Sequence, residues 1–161
     1  MTAISPVSER EWLVRAVSAA ADNVLNGGVP FGALVVKDGE LIASGVNQVT
    51  PNLDPTAHAE VVAIRAACQT LGTFSLAGCL LVASCEPCPL CLSAALWARM
   101  DRVIFAADRH DAATAGFDDR AFYEVFTSPP DQWPLTVAHL GGSRATLAFD
   151  QWTSNPHKVE Y

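Results

Sequence analysis

The segment Leu80-Leu81-Val82-Ala83-Ser84-Cys85-Glu86-Pro87-Cys88-Pro89-Leu90-Cys91 changes character halfway along. Leu80 to Ser84 is an uncharged apolar run of strand length, which suits a strand buried on both faces. Pro87 then opens a helix that continues to about Arg99, because proline is tolerated in a first turn where its missing N–H has no partner to lose. Val103 to Ala107 is another apolar strand, so strand, helix and strand follow one another as a parallel crossover. Apolar strands needing cover on both faces set an α/β class, a sheet between helices.

The flanking sequence extends this unit. Ser8-Glu9-Arg10-Glu11 reads as a capping box, with Ser8 as N-cap and Glu11 at the third helical position. Helical spacing runs through Trp12, Leu13, Ala16 and Val17, and Gly27-Gly28 stop it. Phe31 to Val36 and Leu41 to Val46 are strands joined by the hairpin dipeptide Asp38-Gly39. Pro51 to Pro55 reads as a loop, and Ala57 to Leu71 as a helix ended by Gly72. Asp118 to Val125 is a short helix, Pro129-Pro130 a break, Leu135 to Leu140 a fifth strand, and the tail after Gly142 partly helical. The sheet is mixed: an antiparallel hairpin first, then helix-connected strands.

Composition narrows the function. The 161 residues suit one domain able to bury a core, and 50% hydrophobic against 17% charged residues excludes disorder. The net charge of −7 with only 10 Lys and Arg, none clustered, argues against nucleic acid, whose binding depends on phosphate neutralisation. A small, nearly neutral ligand fits better. Arg15 interrupts the N-terminal apolar stretch, which does not read as a signal peptide. The long uncharged run from Ala66 to Cys85 carries Gln69, Gly72, Ser75 and Gly78, and reads as helix end, loop and strand rather than a membrane span. Five cysteines, three of them between positions 85 and 91, do not read as a disulfide framework and suit a reducing, cytoplasmic setting.

Two segments carry chemistry: Thr56-Ala57-His58-Ala59-Glu60 and Cys85-Glu86-Pro87-Cys88-Pro89-Leu90-Cys91. Cys88 and Cys91, three apart at a helix start, put both sulfurs on one face. Free backbone N–H groups there favour thiolate. His58 at the start of the other helix supplies an imidazole nitrogen. Three protein ligands on a tetrahedral zinc ion leave one position for water, whose pKa the ion lowers toward neutrality. Glu60 lies off the His58 face, where it can reach that water and a substrate and shuttle protons. A closed structural zinc site is the competing reading. It needs a fourth ligand from Cys85, Cys68 or Cys79, and Cys85 reads as a small buried residue. His110, His139 and His157 have no partner at metal-ligand spacing.

His-x-Glu followed by Pro-Cys-x-x-Cys is the known signature of zinc deaminases. The chain resembles the cytidine deaminase-like superfamily and, more closely, its bacterial guanine deaminases. The likeness rests on Pro30-Phe31-Gly32-Ala33, Asn47, Asp54 to Glu60, Ser84 to Cys91, Trp97-Ala98-Arg99, Asp111 to Asp119 and the terminal Tyr161. It implies a three-layer α/β/α fold with a central mixed five-stranded sheet, forming one zinc-dependent deaminase domain over residues 1–161. It implies one zinc ion per subunit on His58, Cys88 and Cys91, with Glu60 and Asp119 catalytic. Asn47, Phe31, Ala59, Trp97, Asp119 and Tyr161 are the implied substrate-binding residues. The segment from about residue 143 to 161 is implied to be exchanged within a homodimer, so that Tyr161 caps the partner's site. The implied reaction is guanine to xanthine and ammonia. Cytosine, cytidine, guanosine and the triazine ammeline are the alternative substrates, because the zinc motif says little about the ring. Asp118 and Asp119 also suit a helix N-terminus, Asn47 a turn, and Phe31 and Trp97 plain core.

Overall fold

Ser8 caps the first helix at the start of the residues, 8–161, that the computed structural model describes. Its Oγ accepts from the Glu11 N–H at 3.3 Å, and the Glu11 carboxylate accepts from the Ser8 N–H at 2.6 Å. Two donors left over at the helix start are thereby satisfied, as the capping box requires. Helix α1 (Glu9–Leu25) follows and buries Trp12, Ala16 and Ala20.

Strands β1 (Gly32–Lys37) and β2 (Glu40–Val46) form the expected antiparallel hairpin. Asp38 and Gly39 both take positive φ, 51° and 78°, which gives a two-residue turn the twist its strands need. A single helical turn, α2 (Val49–Asn52), occupies the start of the stretch expected to be loop. Then come α3 (Ala59–Leu71), β3 (Cys79–Cys85), α4 (Pro89–Trp97) and β4 (Arg102–Ala107). Helix α4 begins two residues later than its sequence suggests. Proline sits at its first position as expected, but it is Pro89, and Pro87 is buried in the approach. Two further helices, α5 (Arg109–Thr114) and α6 (Asp119–Thr127), complete this part.

The sheet order is β2-β1-β3-β4, with β3 antiparallel to β1 and parallel to β4. Alternate residues of the central strands feed two cores. Ala33, Val35, Cys79 and Leu81 pack with Ala59, Ala63 and Ile64 of α3 and Ala95 of α4. Leu34, Val36 and Val82 pack with Trp12 and Ala16 of α1. The result is three layers, α/β/α, as period-two burial on both faces demands.

Among the described residues the sheet has four strands, not five. Leu135 to Leu140 forms no strand, and Leu135, Val137 and Leu140 are all exposed. Alternating side chains define a strand only where one face has something to bury against, and this stretch buries neither. The chain divides into two compact units, one ending at Tyr123 and one from Glu124 to Tyr161. The second contains a 3-10 turn (Pro130–Gln132) and helix α7 (Leu147–Ser154), with Phe126 edge-on to Trp133 at 5.3 Å. Among the described residues no helix is long and apolar enough to cross a membrane.

Helix α3 lies on β2 at Gly45. A Cβ there would press on the Ala59 carbonyl oxygen and lie 2.6 Å from the Ala63 nitrogen. Both are backbone atoms of the helix that begins beside His58. Gly45→Ala is therefore expected to destabilise the fold by about 1–3 kcal/mol, the usual cost of overpacking. Urea unfolding measures it, and the purified variant should carry less zinc by elemental analysis.

Candidate active site

His58 is the N-cap of α3, but its ring makes no capping hydrogen bond. The preceding loop holds it in place instead. Asp54 Oδ1 accepts from the Thr56 N–H at 2.8 Å and from its hydroxyl at 2.7 Å, and Arg65 on α3 lies 3.6 Å from the same carboxylate. The Ala57 carbonyl accepts from the Gln48 N–H at 2.9 Å. Such a side-chain-closed turn fixes the backbone locally, so the imidazole leaves α3 in a set direction.

Helix α4 is built the same way. Cys88 is its N-cap, again without a side-chain capping bond, and Cys91 lies one turn along. His58 Nδ1 is 3.5 Å from Cys88 Sγ and 3.4 Å from Cys91 Sγ, and the two sulfurs are 3.7 Å apart. Zinc–sulfur bonds of about 2.3 Å and zinc–nitrogen bonds of about 2.0 Å at tetrahedral angles put sulfurs about 3.8 Å apart and sulfur about 3.5 Å from nitrogen. The triangle fits a tetrahedral zinc ion, with one corner left to a non-protein ligand. Val61, one turn beyond His58, packs with both cysteines. Cys68 and Cys79 belong with the packed core, and Cys85 instead donates its S–H to the Asp108 carbonyl at 3.5 Å. Among the described residues the metal-capable cluster is His58, Cys88 and Cys91, so the closed four-ligand alternative has no fourth member.

The electrostatics follow from crowding. The Cys91 S–H holds Cys88 down, to about 4, and the shared proton pushes Cys91 up. His58 is raised, first by its hydrogen bond to Cys88. One cation in place of that proton would satisfy both sulfurs. Glu60, on the first turn of α3, is only 7% exposed, and burial raises its carboxyl above the ordinary range. Asp119, the first residue of α6, is half-buried. Burial raises it first, and the negative charge of Cys88 raises it further. Cys85 is pushed up to about 11 by burial, which leaves it an inert thiol.

A second set of side chains, not anticipated from sequence, braces the cysteine loop. The Glu86 carboxylate accepts from Arg109 Nε at 3.0 Å, Nη2 at 2.6 Å and backbone N–H at 3.0 Å. The Arg109 guanidinium lies 3.5 Å over the Tyr123 ring, and the Tyr123 hydroxyl donates to the Pro87 carbonyl. The only signal in the sequence was a carboxylate wedged between Cys85 and Pro87, which needed a partner.

The other expected site residues divide. Asn47 is 8% exposed, and its Oδ1 accepts from the Val49 N–H at 3.1 Å. Phe31 sits edge-on to Phe117 at 4.8 Å and packs against the core. Ala59 is fully buried at the first position of α3. Trp97, at the end of α4, is 63% exposed with Arg99 over its ring. Tyr161 is 75% exposed. His110, His139 and His157 lie outside the metal-capable cluster.

Comparison with known proteins agrees with this geometry. Residues 7–107 match the cytidine and deoxycytidylate deaminase zinc-binding region. The guanine deaminase of Bacillus subtilis is 45% identical over 96% of this chain and 100% of its own length. Its crystal structure superposes with a TM-score of 0.93, covering 96% of this chain and 99% of that one. A structure of guanine deaminase from Nitrosomonas europaea is 31% identical, with a TM-score of 0.67 over 73% of this chain and 68% of that one. A tRNA-specific adenosine deaminase from Aquifex aeolicus is 48% identical, but over 50% of this chain and 54% of its own. With His58, Cys88 and Cys91 meeting as they do, the chain belongs to the zinc-binding cytidine and deoxycytidylate deaminase family, alongside the bacterial guanine deaminases.

Proposed function

We propose that this zinc aminohydrolase converts guanine and water to xanthine and ammonia. The observation that carries the reading is the three-donor cluster with an open corner beside buried Glu60, in a chain alike from end to end to a guanine deaminase. Zinc, when bound by His58, Cys88 and Cys91, polarises the attacking water. Glu60 takes a proton from that water and passes it to a ring nitrogen, then takes the second proton from the newly attached hydroxyl and delivers it to the departing amine. A carboxyl raised by burial holds a transferred proton more readily than one in water, which suits both halves of the shuttle. The water oxygen forms a bond to the amidine carbon, and the carbon–nitrogen bond breaks.

Specificity is assigned to the surrounding side chains. Asp119 accepts N–H donors from the guanine edge, a demand that cytosine does not meet in the same way. The Asn47 side-chain amide donates to the ring, with its oxygen already committed to Val49. Phe31 supplies an aromatic wall and Ala59 its backbone at the helix start. Trp97 and Tyr161 are read as completing the pocket in a homodimer that exchanges residues 143–161. The apolar side chains exposed on the second unit, Leu140 and Phe149 among them, support that exchange. All five cysteines are free thiols, which suits the cytoplasm. The acidity of the chain favours a free base over tRNA.

Glu60→Gln is expected to lower kcat about 100- to 10,000-fold, the usual range for a lost general acid–base, with zinc content unchanged. Ordinary turnover in that variant would remove Glu60 from the mechanism. Ammonia release from a panel of guanine, guanosine, cytosine, cytidine and ammeline should be fastest with guanine, and cytidine as the preferred substrate would overturn the assignment. Asp119→Asn should lose guanine turnover at least about tenfold while keeping zinc, because one charge-assisted contact contributes about 1.5–3 kcal/mol.

A further inference from the structure

We infer that Arg109 and Tyr123 are positioning residues that fasten the Cys88 loop and the Asp119 end of α6 into one rigid piece. The metal-capable cluster itself is His58, Cys88 and Cys91. The contacts of Arg109 and Tyr123 form a closed ring around the loop that carries Cys88. Glu86 follows the last residue of β3, and Arg109 meets its carboxylate with three donors from one residue. Arg109 then lies on the Tyr123 ring, and the Tyr123 hydroxyl returns to the carbonyl of Pro87, the residue before Cys88. Separately, the Glu86 N–H donates to the Ala107 carbonyl at 2.8 Å, so the same turn is tied to the end of β4.

Tyr123 is also one helical turn beyond Asp119 on α6, and residues four apart share a helix face. The hydroxyl that fixes the cysteine loop therefore fixes the position of the Asp119 carboxylate relative to it. An ordinary exposed ion pair would contribute little. This one is bidentate, has a third backbone donor, and its Glu86 side chain is largely shielded from water. Groups that orient metal ligands from behind typically change metal affinity or activity by about 10- to 100-fold when removed.

The inference on zinc retention stands on geometry alone, and its effect on substrate rests on the proposed reaction. Zinc-loaded full-length protein is challenged with a chromogenic chelator, comparing wild type with Tyr123→Phe, Arg109→Ala, Arg109→Lys and Arg102→Ala. Arg102 pairs with Glu9 at the opposite end of β4 and controls for the loss of any ion pair. Tyr123→Phe and Arg109→Ala should surrender zinc about tenfold faster than wild type, Arg109→Lys should fall between, and Arg102→Ala should match wild type. On guanine, Tyr123→Phe should raise KM about tenfold with a smaller change in kcat, the mark of a displaced binding group. If both variants hold zinc as Arg102→Ala does, or if Arg102→Ala loses it as fast, the brace has no positioning role. If wild type does not turn over guanine, the proposed reaction is wrong, and the chelator comparison still decides the brace.

Discussion

Three metal-seeking donors sit within 3.7 Å of one another, and the chain is arranged to keep them there. Lone pairs that close repel unless a proton or a cation lies between them. Two helix N-termini must meet to produce this crowding. Each sacrifices a cap, because His58 and Cys88 stand where Ser, Thr, Asp or Asn would ordinarily satisfy a backbone donor. Such a cap contributes about 1 kcal/mol, so the two starts together forgo about 2 kcal/mol. The flanking devices compensate locally: Asp54 closes the turn before α3, and the Glu86–Arg109 pair closes the turn before α4.

The sheet decides where these starts converge. The cysteine loop leaves the carboxyl end of β3, beside the carboxyl end of its parallel neighbour β4, the edge at which α/β folds gather ligands. Gly45 lets α3 approach β2 closely enough to bring His58 to the same place. Glu60 then lies one short step inside the helix, buried enough to bind a proton readily and next to the metal corner the protein leaves open. Ligand geometry, proton affinity and helix packing are thus consequences of one arrangement.

Local chemistry was readable where the signal is local. The Ser8–Glu11 box, the Asp38-Gly39 turn, the β3–α4–β4 crossover and the His58, Cys88 and Cys91 ligand set all depend on residues close in sequence or on a spacing with few alternatives. The fifth strand at Leu135 to Leu140 failed because alternation shows a tendency to pair, not the presence of a neighbouring face. Helix α5 passed unnoticed because Arg109 to Thr114 is too short for periodicity, although Asp108 caps it with a box of its own.

The sequence by itself determined the three metal-capable donors and the α/β order, because these follow from residue types and short spacings. Only the tertiary structure decided that Cys85, Cys68 and Cys79 stay out of the cluster. The same is true of Glu60 becoming a buried carboxyl and of Arg109 and Tyr123 reaching back to the cysteine loop. Those facts depend on which surfaces the folded sheet and helices bring within a few ångströms, and residues 23 and 36 positions apart carry no mark of it in the chain.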